Sequence, residues 1–164
     1  MNLEAVCLLI LDQPDESIKL HYTILKIREG LNDPELIAES LINIGNIFYR
    51  GQDKEQAIQF YLKAQKLALK KNNQRLLATI ANNLGSYYND KYTELKNKKD
   101  LHLAIKYTKE AIRRKENLKV DKNIENSYLI LAQLYYDSGD LKAAYTYAVK
   151  GEKLALLREN DEAV

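Results

Sequence analysis

The chain has 164 residues, of which 46% are hydrophobic and 29% are charged, and it contains only six Gly and two Pro. This apolar fraction excludes a wholly disordered chain, and the scarcity of turn residues disfavours a β-sandwich or a β-barrel. The net charge of +2 is unevenly spread, with −4 over residues 1–50 and +6 over residues 91–123. Net charge alone therefore indicates neither a polyanionic nor a polycationic partner.

The compartment is indicated by the cysteine content and by the N-terminal segment. Cys7 is the single cysteine and cannot form an internal disulfide, which fits a reducing environment. The apolar stretch at residues 6–11 has no basic segment before it and is too short to span a bilayer. We therefore expect a cytoplasmic protein without a membrane segment.

Apolar spacing and turn residues predict eight helices. Apolar side chains recur at three- and four-residue intervals, as in Leu41, Ile44 and Phe48. Asp53 and Asp140 precede two of the segments and are expected to act as N-caps. In chain order the helices are expected over residues 2–11, 15–30, 35–50, 54–71, 75–90, 101–117, 122–137 and 141–158.

The chain is similar to itself at steps of about 40 residues. The second helix of each unit aligns at residues 17–24, 57–64, 104–111 and 144–151. The longer middle step places seven extra residues within 90–100, where a polar, lysine-rich stretch predicts a longer loop or an added turn. We therefore predict one domain over residues 1–164 with four repeats, at residues 1–33, 34–73, 74–119 and 120–164.

The first helices of the units repeat as well, and each has a small residue at the same position. These residues are Ala5, Gly45, Gly85 and Ala132. A small side chain at a fixed helical position indicates that another helix packs closely there. The pattern predicts an all-α architecture of antiparallel helix hairpins.

The repeated positions resemble the tetratricopeptide repeat signature. They are Leu41, Gly45, Phe48, Ala57, Tyr61 and Ala64, continued by Ala104, Ala111 and Ala144. The chain departs from the family in having no tryptophan, no closing proline and a unit of about 40 instead of about 34 residues. The longer unit is similar to arrays in bacterial sensor kinases, cytosolic peptide-sensing regulators and kinesin light chains. The resemblance implies a right-handed superhelical solenoid whose first helices line a concave groove.

The same resemblance implies which side chains face that groove and contact a protein or an extended peptide. In the second repeat they are Glu39, Ile42, Asn43, Asn46, Tyr49 and Arg50; in the third Thr79, Asn82, Asn83, Ser86, Asn89 and Asp90; in the fourth Asn126, Leu129, Ile130, Gln133, Tyr136 and Asp137.

Asparagine is the most frequent residue at these positions. The carboxamide of asparagine both donates and accepts hydrogen bonds, so a row of asparagines matches the backbone of an extended peptide. The side chains of the peptide are expected to be selected by Tyr49, Tyr136, Ile42 and Leu129. The alternative is that the asparagines are solvated or bond to each other.

One type of peptide is not expected to bind in the predicted groove. Family members that hold the C-terminal carboxylate of a chaperone use two asparagines, which match Asn46 and Asn83 here. Ile42, Asn126 and Ile130 occupy the positions of the required cations. Without charge-assisted bonds a terminal carboxylate is not held.

No catalytic, cofactor or metal motif is found, so we do not expect an enzyme. The glycines form neither a phosphate loop nor a dinucleotide turn, and His21 and His102 stand without the cysteine or carboxylate spacing of a metal site. His21 is expected to have a packing or surface role. The basic run from Lys106 to Lys115 is interrupted by Glu110 and is expected to be a solvated outer face, not a nucleic-acid surface.

The leading hypothesis is a protein- or peptide-binding module within a signalling or regulatory protein. The competing hypothesis is an oligomerisation scaffold, because residues 6–11 and 154–157 are apolar at the two ends, where solenoids need polar surfaces. Self-association or a missing flanking domain would cover these ends.

Overall fold

The computed structural model describes residues 14–51, 53–119 and 124–162, with the side chains of residues 14–15 and 159–162 left out. These residues form seven helices and no strand: α1 (Pro14–Gly30), α2 (Pro34–Arg50), α3 (Lys54–Lys70), α4 (Gln74–Leu95), α5 (Lys98–Asn117), α6 (Ile124–Ser138) and α7 (Leu141–Glu162). The predicted all-α repeat fold is confirmed. The helix predicted over residues 2–11 and the small residue Ala5 lie outside the described residues.

Side chains at the helix starts explain where the helices begin. The predicted caps are confirmed: the amide of Gln56 donates to Asp53 Oδ1 at 3.1 Å, and the amide of Ala143 donates to Asp140 Oδ1 at 3.0 Å. Asp33 caps α2 in the same way, with Pro34 in the first turn. These bonds satisfy amides that have no partner inside the helix.

The extra residues of the third repeat lengthen its two helices. α4 runs to Leu95 instead of 90 and α5 begins at Lys98 instead of 101. Between them lie Lys96, with a φ of +51°, and Asn97, whose side chain caps α5. Most of residues 90–100 are therefore helical, which agrees with the expectation of an added turn and not with that of a longer loop.

The first compact unit comprises residues 1–80 and contains α1, α2, α3 and the start of α4. α2 packs against both α1 and α3. The core between α2 and α3 is built from small and branched side chains, with Ile44, Ala57 and Ala64 all 0% exposed. The close approach predicted at Gly45 is confirmed, since a Cβ there would lie 2.6 Å from Cε1 of Tyr61.

The second compact unit comprises residues 81–164 and contains the rest of α4 with α5, α6 and α7. α6 packs against both α5 and α7. A buried cluster joins α5 and α6 through Ile112, Ile124, Tyr128 and Leu131. Gly85 again marks a close approach, because a Cβ there would lie 2.9 Å from Oγ1 of Thr108.

A stacked pair of aromatic rings recurs inside the hairpins. The first ring comes three residues after the small residue of the first helix, and the second comes three residues after the recurring alanine of the second helix. The pairs are Phe48–Phe60, Tyr88–Tyr107 and Tyr135–Tyr147, with centroid distances of 5.4, 5.6 and 5.5 Å and interplanar angles of 7°, 2° and 8°. Stacked pairs add stability beyond the area that they bury.

Candidate functional site

The predicted ligand face of α2 consists of half-buried polar side chains. Asn43, Asn46 and Tyr49 are half-buried and Arg50 is exposed. Their spacing of three and four residues places them on one side of the helix. Ile42 departs from the prediction, because at 4% exposure it is a core residue. A branched apolar side chain is more stable in the core than against water, so Ile42 is not available to select ligand side chains.

Glu39, at the start of this face, is linked to the neighbouring helix. Its carboxylate lies 3.6 Å from Nη1 of Arg28. The same guanidinium donates to the carbonyl oxygen of Leu36 at 2.9 Å and to Oγ of Ser40 at 3.0 Å. Glu39 therefore belongs to the junction of α1 with α2, and a ligand that used it would compete with Arg28.

The side chain of Asn46 is oriented by a hydrogen bond from α3, the second helix of the same hairpin. The hydroxyl of Tyr61 donates to Oδ1 of Asn46 at 2.9 Å. Tyr61 is 1% exposed, and burial raises the pKa of its hydroxyl, so the group stays protonated and remains a donor. Sequence reasoning missed this bond, although Asn46 follows the glycine on which the Tyr61 ring packs. Asn46 has a structural role whether or not it also contacts a ligand.

The predicted face of α4 is also polar and half-buried. The part of this face in the second unit consists of four half-buried residues, Asn82, Asn83, Ser86 and Asn89. Thr79, in the first unit, is exposed and its hydroxyl donates to the carbonyl oxygen of Arg75 at 3.2 Å.

The carboxamides of three half-buried asparagines on these faces bond to no other residue in the described part of the chain. They are Asn43 on α2, and Asn82 and Asn89 on α4. A half-buried amide requires partners from water or from a ligand. The expectation that the asparagines bond to each other does not describe these three.

The predicted face of α6 is open and more apolar. Asn126 and Gln133 are exposed, and Leu129, Ile130 and Tyr136 are 42, 40 and 63% exposed. Nε2 of Gln133 donates to Oδ1 of Asp137 at 2.8 Å. Large apolar side chains that remain this exposed are available for contact with another polypeptide.

His21 is buried, as a packing role requires. It is 3% exposed, and burial, together with the nearby Arg28, lowers the pKa of its imidazole.

In the described residues no group of three or more His, Cys, Asp or Glu side chains is arranged to hold a metal ion. No described helix combines the length and the apolar character that crossing a membrane requires.

Two comparisons with known proteins agree with this architecture. The tetratricopeptide repeat family model matches residues 1–70. The crystal structure of BtubC (BKLC) from P. vanneervenii superposes with a TM-score of 0.79 at 19% identity, covering 96% of this chain and 63% of that one. This chain therefore spans less than two thirds of that protein, and the likeness is one of fold.

Among curated protein sequences no match was found. The family match lies on the residues whose pattern carried the resemblance, including the small residue Gly45, the buried Tyr61 and the alanines at 57 and 64. The helix hairpins follow the same pattern. The predicted resemblance to the tetratricopeptide repeat family is therefore confirmed over residues 1–70.

Proposed function

We propose that the chain is an interaction module that binds an extended polypeptide on the faces of its first helices, on α4 and α6 in the second unit and, as a surface of the same kind, on α2 in the first unit. The observation that carries the proposal is the pair of half-buried carboxamides on α4, Asn82 and Asn89, that lie seven residues apart on one side of the helix and bond to no other described residue. Each offers a donor pair and an acceptor, which is what a peptide group needs.

The face of α6 complements these amides. Leu129, Ile130 and Tyr136 are exposed and apolar, and such side chains favour contact with the side chains of a ligand. Backbone recognition by amides and side-chain recognition by apolar residues are both needed for a peptide site that is selective. Ile42 takes no part in this proposal because it is buried.

The test begins with selection of phage-displayed random dodecapeptides on the intact chain. A selected peptide is then synthesised with a fluorescent label and titrated by fluorescence polarisation. Replacing both amides in the double variant Asn82→Ala/Asn89→Ala removes about two ligand hydrogen bonds of about 1 kcal/mol each, so affinity is expected to fall by about tenfold or more.

The matched control removes two amides from exposed positions on second helices, in the variant Gln59→Ala/Asn117→Ala. Its affinity is expected to equal that of the wild type. Asn46 is not changed, because its loss would leave the Tyr61 hydroxyl buried without that acceptor. Equal affinity of the Asn82→Ala/Asn89→Ala variant and the wild type would contradict the proposal.

A second candidate function is self-assembly, and the observation that favours it is an apolar stripe on α7. Leu141, Tyr145, Val149 and Leu156 are 62, 74, 44 and 59% exposed and follow one another at helical spacing. We propose that a second copy of the chain covers this stripe. The mass of the chain in solution tests this proposal, since a second copy on the stripe raises it above that of one chain.

A further inference from the structure

The second unit has a groove between α5 and α7, the second helices of its hairpins. α6 packs against both helices and forms the floor. Two adjoining cavities of about 490 and 540 Å³ make up the groove and share Glu116, Tyr128 and Lys150. We call it the basic groove, and six cationic side chains line it: Lys106, Lys109, Arg113, Lys119, Lys150 and Lys153.

The carboxylates in the basic groove are already engaged. Glu110 accepts from Nε of Arg114 at 3.0 Å and from Nη2 at 2.7 Å, and Arg114 is not among the six lining cations. Glu116 accepts from the hydroxyl of the buried Tyr128. All six lining cations are exposed. The groove therefore presents an excess of positive charge that its own carboxylates do not neutralise.

Neighbouring tyrosines interact with two of these cations. The Nζ atom of Lys150 lies 5.6 Å from the ring centroid of Tyr128 and 5.8 Å from that of Tyr147. The hydroxyl of Tyr135 favours the charged form of Lys109 and raises the pKa of its ammonium group. Cations that are already positioned lose less conformational entropy when an anion binds.

Apolar side chains complete the basic groove. Ile112 and Leu131 lie at the bottom of one cavity and are 4 and 1% exposed. Leu154 and Leu157 line the other, where Leu157 is 51% exposed. A ligand that carried only charge would leave Leu157 in water, so the groove fits a ligand with both carboxylates and aliphatic side chains.

The aromatic rings argue against nucleic acid as the occupant. Both neighbours of the Tyr147 ring are other tyrosines, Tyr135 at 5.5 Å and Tyr128 at 6.0 Å, in nearly parallel stacks. A nucleobase needs an open ring face on which to stack. Glu110 and Glu116 also lie among the cations. A phosphate backbone carries a charge at every nucleotide and would be repelled there, whereas a peptide can place an uncharged residue beside them.

We propose that the basic groove binds an acidic peptide segment whose carboxylates contact the lysines and Arg113 and whose aliphatic side chains contact Leu154 and Leu157. This site lies on second helices and is separate from the first-helix faces of the proposed function. The sequence-based expectation of a merely solvated basic face is replaced by this proposal, because the cations border a cavity and share it with apolar side chains.

The experiment uses fluorescein-labelled dodecapeptides and the full chain. One peptide repeats Glu-Glu-Leu, a second repeats Glu-Glu-Ser, and a third repeats Lys-Lys-Leu. Binding is expected for the Glu-Glu-Leu peptide, with weaker affinity for Glu-Glu-Ser and none for Lys-Lys-Leu. Affinity is expected to fall as salt is raised, since exposed charges are screened.

Charge reversal locates the site. The variant Lys109→Glu/Arg113→Glu is expected to weaken binding of the Glu-Glu-Leu peptide by about tenfold or more, because each change replaces an attraction by a repulsion. The control Lys98→Glu/Lys99→Glu makes the same change in net charge at exposed positions outside the groove, and it is expected to stay within about twofold of the wild type. If the reversed variant does not fold, the neutral variant Lys106→Gln/Arg113→Gln gives the same comparison with a smaller loss.

Four results would overturn the proposal. They are no binding of the Glu-Glu-Leu peptide to the wild type, equal losses in the groove and control variants, tighter binding of a dodecameric oligothymidylate, or loss of binding in Asn82→Ala/Asn89→Ala. The last result would place the acidic peptide on the first-helix face instead. Failure of the proposed function alone, in contrast, would leave the response to Lys109→Glu/Arg113→Glu unchanged.

Discussion

Gly45 sets the distance between α2 and α3. A Cβ at this position would lie 2.6 and 2.9 Å from two ring carbons of Tyr61 and 3.3 Å from the carbonyl oxygen of Ala57. The Tyr61 ring is 1% exposed, so it cannot move aside without displacing neighbouring core residues. We therefore expect Gly45→Ala to lower the free energy of unfolding by about 1–3 kcal/mol, despite the better helix propensity of alanine.

Urea unfolding followed by circular dichroism measures this loss. Gly30→Ala is the control, because nothing lies within 4 Å of a Cβ at the end of α1. It is expected to leave stability unchanged or slightly raised. Equal stability of the two variants would show that α2 and α3 are not in such close contact.

Asn46 and Tyr61 form one unit, and this affects how mutations at Asn46 are interpreted. Asn46→Ala removes the acceptor of a buried hydroxyl, which is expected to lower the free energy of unfolding by about 1–3 kcal/mol. Asn46→Asp keeps an oxygen acceptor and is expected to cost less. In a Tyr61→Phe background Asn46→Ala is expected to cost least, and a double-mutant cycle measures the difference. The same cost in both backgrounds would mean that the hydrogen bond contributes nothing.

Burial of His21 predicts that stability depends on pH. The folded-state pKa lies below 6.5, so the unfolded chain takes up the proton first as pH falls. The contribution of neutral His21 is therefore complete above about pH 6.5 and is lost as pH falls from there towards the folded-state pKa. We expect the melting temperature to decrease between about pH 7.5 and pH 5.5, a range above that in which most carboxylates titrate.

His21→Leu removes this proton uptake at similar volume, and its melting temperature is expected to vary less over the same range. His102→Leu is the matched control, since His102 is exposed, and it is expected to follow the wild type. A wild-type slope that persists in His21→Leu would assign the pH dependence to other groups.

At the level of elements, the sequence predicted most helices to within one or two residues, because Pro14, Pro34 and the capping residues mark their starts. The exceptions were the end of α4, the start of α5 at Lys98 instead of 101, and the end of α7 at Glu162 instead of 158. Residues 91–99 lack apolar periodicity, but Tyr92 packs against Leu101, Ala104 and Leu134, and this tertiary contact extends the helix. Such a contact has no local sequence signal.

The faces of the helices were harder to predict than their ends. The repeat pattern placed Ile42 on the ligand face, but the structure places it in the core. Whether a residue at the edge of a helix face is buried depends on how the neighbouring helices pack. Spacing alone also could not show that Tyr61 bonds to Asn46 or that basic residues of α5 share a cavity with leucines of α7. Each depends on the distance between two helices.

The connection after α4 carries a conformational cost that can be relieved. Lys96 adopts a φ of +51°, where a side chain with a Cβ is less stable than glycine. Lys96→Gly is therefore expected to raise the free energy of unfolding by about 0.5–1 kcal/mol, as measured by urea unfolding. Lys98→Gly removes the same charge at the first residue of α5, where the backbone is helical. It is expected to be destabilising, and a gain in both variants would assign the effect to charge.

At the scale of the whole molecule, the apolar stripe on α7 decides between a monomer and an assembly. Leu157, which also is exposed, lines the basic groove, whereas Leu141, Tyr145, Val149 and Leu156 line neither cavity of that groove. Exposed apolar area of this kind favours association because burying it removes it from water. We expect light scattering to give a mass above the 18.9 kDa of one chain, and to give a larger mass at higher concentration.

Introducing charge into the stripe is expected to reverse this association. The variant Tyr145→Glu/Leu156→Glu places carboxylates where the apolar side chains of two copies would meet. Because burying an unpaired carboxylate is unfavourable, the mass is expected to return to that of one chain. Thr146→Glu adds a carboxylate at an exposed position about 100° around the same helix and is expected to leave the assembly intact. A wild-type chain that stays monomeric at every concentration would rule out self-assembly through α7 while leaving both peptide sites untouched, since neither uses these four side chains.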